Sequence, residues 1–275
     1  MLLQNGSRDM RRSAPKERTE NLSVLTVRSI VALILREMSA TSGRTPGGYL
    51  WAILEPVLGI AFLSYIFSLG FRTPRLGDNF PIFFATGLLP FLASMMIAGS
   101  VSQALNYSRA LLNYPMVSYM DALIARLILT TMTQMMVSVI LLFGIVSVWE
   151  TRTVFEIERA LLTYTMAIAF GFGLGVFNCF FVTRFQLYQR IFSIATRPLF
   201  LLSGVIFLYE SLPRFAQNIL WYNPLMHVTG ELRGAFYLQY EAKYVSPVYV
   251  FSVSLILCLL GFILLHRYHR DMLEY

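Results

Sequence analysis

The chain has 275 residues, of which 56% are hydrophobic and only 13% are charged. Soluble globular domains have about 25% charged residues, so this composition excludes an ordinary soluble protein and predicts an integral membrane protein. The net charge of +7 does not indicate nucleic-acid binding, because most of the basic residues lie at the N-terminus and in connectors between apolar segments.

The N-terminal region is polar and basic and contains no segment long enough to cross a membrane. Residues 1–21 predict a cytoplasmic extension, since they lack the apolar core and cleavage site of a secretory signal peptide. In residues 22–46, apolar side chains recur at helical spacing at Val24, Val27, Val31, Ile34, Leu35 and Met38. This pattern predicts an amphipathic helix at the cytoplasmic membrane surface, and a helix packed on a soluble partner is the alternative.

Six apolar segments have the length of about 20 residues that crosses a bilayer. They lie near residues 48–71, 81–105, 120–149, 160–182, 191–208 and 247–266. Lys and Arg are concentrated on the side of the N-terminus, and this asymmetry predicts that both termini are cytoplasmic. We therefore expect an all-α integral membrane fold with six transmembrane helices, in a transmembrane domain that covers residues 47–275.

The first predicted span contains a carboxylate, which is unexpected in a helix that faces lipid. Glu55 and Pro56 lie one to two turns inside it, shortly after Tyr49 and Trp51. A charged group at membrane depth is costly and usually faces a protein interior or a water-filled path. We therefore predict that this stretch is both an anchor and part of the mechanism.

Four other charged residues lie within or at the edge of the predicted spans and short helices: Arg126, Arg197, Glu231 and Arg233. Each is a candidate for the mechanism by the same argument, and neutralisation by a neighbour inside the helix bundle is the alternative.

Two connectors carry their own structural signals. Residues 106–115 predict a short cytoplasmic helix whose Leu111, Leu112 and Tyr114 need a partner protein to cover them, and Ser118 with Asp121 has capping-box spacing. Residues 209–246 predict two short helices separated at Asn223-Pro224. We expect these helices to form a re-entrant pair dipping in from the outer face; an amphipathic surface loop is the alternative.

The sequence contains no recognisable nucleotide, metal or catalytic site. Neither lysine, Lys16 or Lys243, ends a phosphate-binding Gly-x-x-x-x-Gly-Lys-Ser/Thr loop. The glycines at residues 171–175 lie in the middle of an apolar span, where they favour close helix packing. The three histidines do not form a metal cluster with other ligands. We therefore expect a chain that is not an enzyme, with no cofactor of its own.

Several motifs, in a consistent order, resemble one family of transport proteins. They are Leu35-Arg36-Glu37, the string from Gly48 to Pro56, Leu112-Asn113-Tyr114-Pro115-Met116-Val117, Asp121 with Arg126, Arg197-Pro198-Leu199, and Tyr222-Asn223-Pro224-Leu225 followed by His227, Glu231 and Arg233. Together they resemble the inner-membrane permease subunits of ABC transporters that export capsular polysaccharide or O-antigen. The string ending in Glu55-Pro56 is the most specific part, and residues 1–21 are left as a variable extension.

This resemblance implies a homodimer of permeases bound to two copies of a separate ATPase, which would hold the ATP and Mg²⁺. The substrate would be a lipid-linked polysaccharide, and periplasmic adaptor and outer-membrane export proteins would continue its path from the inner membrane. The implied translocation path or mechanism residues are Tyr49, Trp51, Glu55, Pro56, Arg126, Arg197, Glu231 and Arg233. The implied ATPase contacts are Arg36, Glu37, Arg109, Leu111, Leu112 and Tyr114.

Two other functions remain alternatives. The chain could be a related exporter permease for another substrate, such as teichoic acid, O-antigen or a drug, which genes for sugar synthesis nearby would distinguish. A membrane enzyme that modifies glycans would need an acid–base or metal site at one face, and the sequence shows none.

Overall fold

The computed structural model describes residues 30–35, 48–112, 118–149, 154–185 and 187–273. All regular secondary structure within these ranges is helical. Residues 30–35 are helical, and in the described residues a short 3-10 helix (Tyr209–Ser211) and nine α-helices follow: α1 (Gly48–Gly70), α2 (Phe80–Ser102), α3 (Ala104–Leu112), α4 (Tyr119–Val148), α5 (Ile157–Arg184), α6 (Tyr188–Leu202), α7 (Arg214–Leu220), α8 (Pro224–Phe236) and α9 (Pro247–Leu273).

Five of these helices, α1, α2, α4, α5 and α9, are long and apolar enough to cross a membrane. They correspond to five of the six segments that the sequence predicts, and most of their ends agree to within about three residues. The remaining predicted span, residues 191–208, corresponds to α6, which has only 15 residues. The predicted span therefore continues to residue 208, whereas the helix ends at Leu202. Contacts with α8 contribute to this earlier end.

Helices α2 and α5 form the centre of the bundle. Helix α5 packs along both α9 and α2, and α2 also contacts α1, α4 and α8. In the most apolar part of each helix, 78% of α2 and 56% of α5 are buried, against 11% of α1, 28% of α4 and 22% of α9. The three outer helices therefore present wide apolar surfaces to lipid or to other protein.

Glycines allow α5 to approach its neighbours closely. A Cβ atom added at Gly173 would lie 2.3 Å from the backbone oxygen of Ser254 on α9, and one at Gly171 would lie 2.7 Å from the oxygen of Ser94 on α2. On α9, a Cβ at Gly261 would lie 2.6 Å from the backbone nitrogen of Phe177. These contacts confirm the prediction that the glycines of residues 171–175 serve helix packing.

The start of α4 confirms the predicted capping box. The Ser118 hydroxyl accepts a hydrogen bond from the Met120 N–H at 3.2 Å, and the Asp121 carboxylate accepts one from the Ser118 N–H at 3.0 Å. These bonds satisfy N–H groups that a helix start leaves without a partner inside the helix.

Helices α7 and α8 are separated by a break at residues 221–223, as the sequence predicts. The Asn223 side chain starts α8 by accepting a hydrogen bond from the Leu225 N–H at 3.1 Å, and Pro224 occupies the first turn. Neither helix is long enough to span a membrane, yet almost all of α8 is buried against the rest of the bundle. Helix α8 is therefore a core element, whereas α7 has no buried residue.

Candidate functional site

A cavity of about 400 Å³ lies between α2, α6 and the end of α5. One wall is the polar stripe of α6, which consists of Gln189, Ser193, Thr196 and Arg197. Their spacing of four, seven and eight residues places them on one face of the helix. No residue of α6 is buried, so the cavity is bounded by a helix with little packing of its own.

Arg197 is the charged group of this cavity. Its side chain is exposed in the single chain and makes no hydrogen bond or ion pair with any other described residue. The ring of Phe200, three residues further along α6, lies 5.7 Å from the ring of Phe91 on α2. Because Phe91 lies near the middle of α2, Arg197 stands well inside the height of the bundle, where an unpaired cation is costly.

Helix α1 carries the second unpaired charge. Glu55 is exposed and has no partner among the described residues, whereas Pro56 next to it is buried. Glu55 lies within an exposed stripe that follows the helical repeat: Trp51, Glu55, Leu58, Phe62, Tyr65 and Leu69. A carboxylate in the middle of such an apolar stripe is not suited to lipid and indicates contact with protein or water.

The end of α6 is held by polar side chains of α8, and this explains its early termination. The Asn223 amide donates to the Leu202 carbonyl at 3.0 Å, and the Thr229 hydroxyl donates to the Ser203 carbonyl at 2.7 Å. Gly204 then adopts a φ of +72°, which turns the chain out of the helix. The carbonyl groups that end the helix thus find donors on α8 and not in a further helical turn.

Arg233 continues this series of contacts from the same helix. Its two Nη atoms donate to the carbonyls of Val205 and Phe207, each at 2.9 Å. The guanidinium also lies over the ring of Phe83 at 4.5 Å, and the side chain is completely buried. A Cβ at Gly87 on α2 would lie 3.0 Å from the guanidinium, so this position leaves room for the cation.

His227 holds the break between α7 and α8 against the start of α9. Its Nδ1 accepts a hydrogen bond from the Ser246 N–H at 3.1 Å, so Nε2 carries the proton and donates to the Trp221 carbonyl at 2.7 Å. The side chain is fully buried, and this burial lowers the pKa of His227 below its ordinary value. The imidazole is therefore neutral and acts as a structural bridge.

Glu231 lies at the opposite edge of α8, close to the start of α5. Arg159 there pairs with Glu156 at 3.1 Å and donates to the Gly234 carbonyl at 3.3 Å. Partial burial raises the pKa of Glu231, and the nearby Arg159 opposes that change. The backbone N–H of Glu156 donates to the Ala235 carbonyl at 2.9 Å, so α8 and the start of α5 are joined directly.

Arg126 lies apart from all of these groups. Its guanidinium stands over the ring of Tyr107 at 4.2 Å, which links α4 to α3. A cation over an aromatic ring is a favourable contact at a partly desolvated position.

The identity of the chain follows from its relatives. A sequence model of the ABC-2 type transporter matches residues 28–237, which is most of the chain. This chain belongs to the ABC-2 type transporter family. The match extends from the helical residues 30–35 to the end of α8, so it includes the cavity and the charged residues of α1, α6 and α8.

Among relatives of this ABC-2 chain, polysialic acid transport protein KpsM of Escherichia coli is 31% identical over 248 residues, covering 89% of this chain and 95% of KpsM. The capsule polysaccharide export inner-membrane protein CtrC of Neisseria meningitidis is 25% identical over 88% of this chain and 92% of its own length. BexB of Haemophilus influenzae, with the same description, has the same identity and coverage.

The predicted residues of this ABC-2 chain fall into separate places. Trp51 and Glu55 share the exposed face of α1, Arg197 lines the cavity, and Glu231 and Arg233 belong to α8. The predicted ATPase contacts are only partly described: the backbone of Arg109, Leu111 and Leu112 belongs to α3, whereas their side chains and that of Tyr49 lie outside the description, as do Arg36, Glu37 and Tyr114. Among the described residues no group of three His, Cys, Asp or Glu could hold a metal ion.

Sequence reasoning missed the polar stripe of α6 and two of the α8 side chains that hold its end. The spacing of Gln189, Ser193 and Thr196 was the available signal, because it repeats on one helix face together with Arg197. No comparable signal identifies Asn223 and Thr229 as donors to α6, since their acceptors are backbone groups about 20 to 26 residues away.

Proposed function

We propose that this chain is the membrane-spanning permease subunit of an ATP-driven exporter of capsular polysaccharide. The observation that carries this proposal is the combination of the ABC-2 family match with relatives whose names specify polysialic acid transport or capsule polysaccharide export. These relatives align over almost the whole chain and their own length, so the likeness is not confined to one segment.

We propose six crossings, with α6 as the fifth and both termini in the cytoplasm. Two contacts support this arrangement: Gly77 lies beside the ring of Tyr237, and Glu156 is bonded to Ala235. The connectors after α1 and α4 therefore meet the α7–α8 region at one end of the bundle. At the other end the Tyr188 hydroxyl donates to Asn178 on α5 at 2.7 Å, which supports an α6 that begins at the cytoplasmic end and reaches the outer half.

In this arrangement α7 and α8 form the re-entrant pair. Residues 203–208 are non-helical, and such backbone is tolerated at membrane depth only where protein satisfies its polar groups. The donors Thr229 and Arg233 on α8 supply that condition for the carbonyls of Ser203, Val205 and Phe207.

Two copies of this chain and two copies of a separate ATPase would form the working exporter. ATP and Mg²⁺ would bind to the ATPase, and residues 22–46 together with α3 would receive its movement. The wide exposed face of α1 supports a second permease as the neighbour, because Glu55 lies within that face. In an inner membrane, periplasmic adaptor and outer-membrane proteins would take over the lipid-linked glycan.

The translocation path would be formed by the exposed face of α1 and the cavity face of α6. Trp51 supplies an aromatic surface that suits the apolar faces of sugar rings, and Arg197 with Ser193 and Thr196 supplies polar groups. Arg233 would support this wall from behind, because its guanidinium is occupied by the backbone of residues 205–207.

The test is export by a strain in which the gene is deleted and then replaced by variants. Deletion should abolish surface polysaccharide, and purification of the tagged chain should recover an ABC ATPase. Glu55→Ala and Arg197→Ala should reduce export at least about fivefold with unchanged membrane levels, since each removes a mechanism charge. Ala195→Ser, on the opposite face of α6, is the matched control and should export normally.

Normal surface polysaccharide in the deletion strain would contradict the substrate, and purification without an ATPase would contradict the transporter. Loss of both alanine variants from the membrane would mean that the two charges serve folding and not export.

A further inference from the structure

Glu55 on α1 and Arg197 on α6 are opposite charges that lack partners within the chain. Both side chains are exposed, and neither forms a hydrogen bond or an ion pair with another described residue. Both lie on helices that pack loosely, since 11% of α1 is buried and α6 has no buried residue. In a bilayer each charge alone would be costly, and pairing removes much of that cost.

The two charges stand at nearly the same height, and α2 provides a common scale because it contacts both helices. A Cβ at Gly59 of α1 would lie 3.1 Å from Leu88 of α2, and Phe200 of α6 contacts Phe91 of α2. Because α1 and α6 both run antiparallel to α2, Glu55, four residues before Gly59, is level with residue 92.

By the same count Arg197, three residues before Phe200, is level with residue 94 of α2. A difference of two residues along a helix is about 3 Å. The charges therefore match in height as well as in sign, although they belong to different helices that do not contact each other extensively.

We infer that Glu55 of each copy forms an ion pair with Arg197 of the second copy in the homodimer. The inference rests on the dimer of the proposed function and adds its contact residues. In a two-fold symmetric dimer the contact of one residue with another occurs twice, so two such pairs form. Leu58 and Phe62, which follow Glu55 on the exposed stripe of α1, then pack around the ion pair and exclude lipid from it.

The pairs also place Arg197 at a seam between the two copies. Arg197 also lines the cavity beside α6, so a molecule that enters this cavity between α1 of one copy and α6 of the other would meet the pair. Separation of Glu55 from Arg197 is then the local event that opens the seam, while the rest of the bundle keeps its packing.

Disulfide trapping tests the contact directly. Two copies with different tags are expressed together after Cys179→Ala and Cys258→Ala, one copy carrying Glu55→Cys and the other Arg197→Cys. Oxidation of membranes should give a covalent dimer containing both tags, at least about fivefold above the control pair Ile53→Cys with Ala195→Cys. The control residues lie at similar heights but point about 200° away on their helices.

Exchange of the two charges is a second, independent test of the ion pair. Glu55→Arg and Arg197→Glu alone each bring like charges together and should lower export and co-purification of the two tags at least about tenfold. The double variant Glu55→Arg with Arg197→Glu should recover both to within about threefold of the unmodified chain.

A double variant no better than the poorer single variant, or trapping no stronger than in the control pair, overturns the ion pair. Loss of export in Arg197→Gln with normal export in Glu55→Gln also overturns it, since Arg197 would then serve an anionic substrate alone. If unmodified copies with different tags do not purify together, it is the dimer of the proposed function that fails.

Discussion

Buried polar side chains of this chain hold backbone groups in place. An arginine has five N–H donors and its burial requires acceptors in a fixed geometry. Arg233 meets the carbonyls of Val205 and Phe207, while its Nε has no acceptor among the described residues. The family resemblance implies that Arg233 belongs to the translocation path or mechanism. Its described contacts are instead those of a residue that holds the backbone after α6 in place.

Replacement of Arg233 should therefore act on stability before it acts on transport. Arg233→Met leaves the buried carbonyl of Val205 and the partly buried carbonyl of Phe207 without these donors, and an unsatisfied buried group costs about 1–3 kcal/mol. We expect a lower Tm of the purified protein in detergent, and lower export because less protein survives. Arg214→Met, at an exposed position of α7, should leave both unchanged. A normal Tm for Arg233→Met with lost export would instead assign Arg233 to the path.

His227 predicts a pH dependence of stability. Its pKa is lowered in the folded protein, so the unfolded chain binds a proton first as the pH falls through about 6.5. The stability contributed by the neutral imidazole is therefore present above this pH and is lost below it, by up to about 1.4 kcal/mol per pH unit.

The measurement is Tm between pH 7.5 and 5.5 for the unmodified protein and for His227→Gln, whose amide can both donate and accept. The decrease of Tm toward low pH should be smaller in the variant. His266→Gln, at an exposed position in the C-terminal part of α9, should retain the full decrease. An equal pH dependence in all three proteins would contradict the assignment.

The helices themselves follow closely from the sequence. The first span is predicted at residues 48–71 and observed at Gly48–Gly70, because apolar length and the Pro-Gly boundary before it are local signals. The capping box of Ser118 and Asp121 is equally local. The end of α6 is different: Gly204 is a local stop signal, but the residues after it remain apolar to Leu208, and the donors of α8 that hold the helix end at Leu202 are distant in sequence.

The glycines of the α5–α9 contact predict position-specific effects. Gly173→Ala and Gly261→Ala would place a methyl group against backbone atoms at 2.3 Å and 2.6 Å, so the helices must separate. We expect each change to lower Tm and the yield of folded protein. Gly144→Ala on α4 meets no atom within 4 Å and should be neutral or slightly stabilising, because alanine favours a helix. Equal Tm values for all three would contradict close packing here.

The molecule as a whole is a bundle whose two ends are distinguished by their connectors. Charge asymmetry predicts the orientation from sequence, since basic residues favour the cytoplasmic side. The site was less predictable: Glu55 and Arg197 could be selected as costly charges, but their matched height depends on the packing of α1 and α6 against α2. Such relations between distant segments are absent from the spacing of residues in the sequence.

Thiol labelling of intact cells tests the proposed orientation. Ser211→Cys, at an exposed position between α6 and α7, should react with a membrane-impermeant maleimide once the outer membrane is permeabilised. Asn106→Cys on α3 is also exposed and should react only after the inner membrane is opened. The unmodified chain, whose Cys179 is buried, is the control for background. Labelling of both positions from the same side would contradict the three proposed crossings between them, α4, α5 and α6.

The attachment of α6 has a consequence for how its surface can change. Polar contacts hold the two ends, through Tyr188 at one and Leu202 and Ser203 at the other, while the middle of the helix packs on little. Rotation about its own axis then displaces these ends less than a sideways shift would. Less than half a turn exchanges the polar stripe for the apolar face of Ile191, Ile194 and Leu201. Such a rotation of one helix would thus replace a polar cavity wall by an apolar one while hardly changing the width of the cavity.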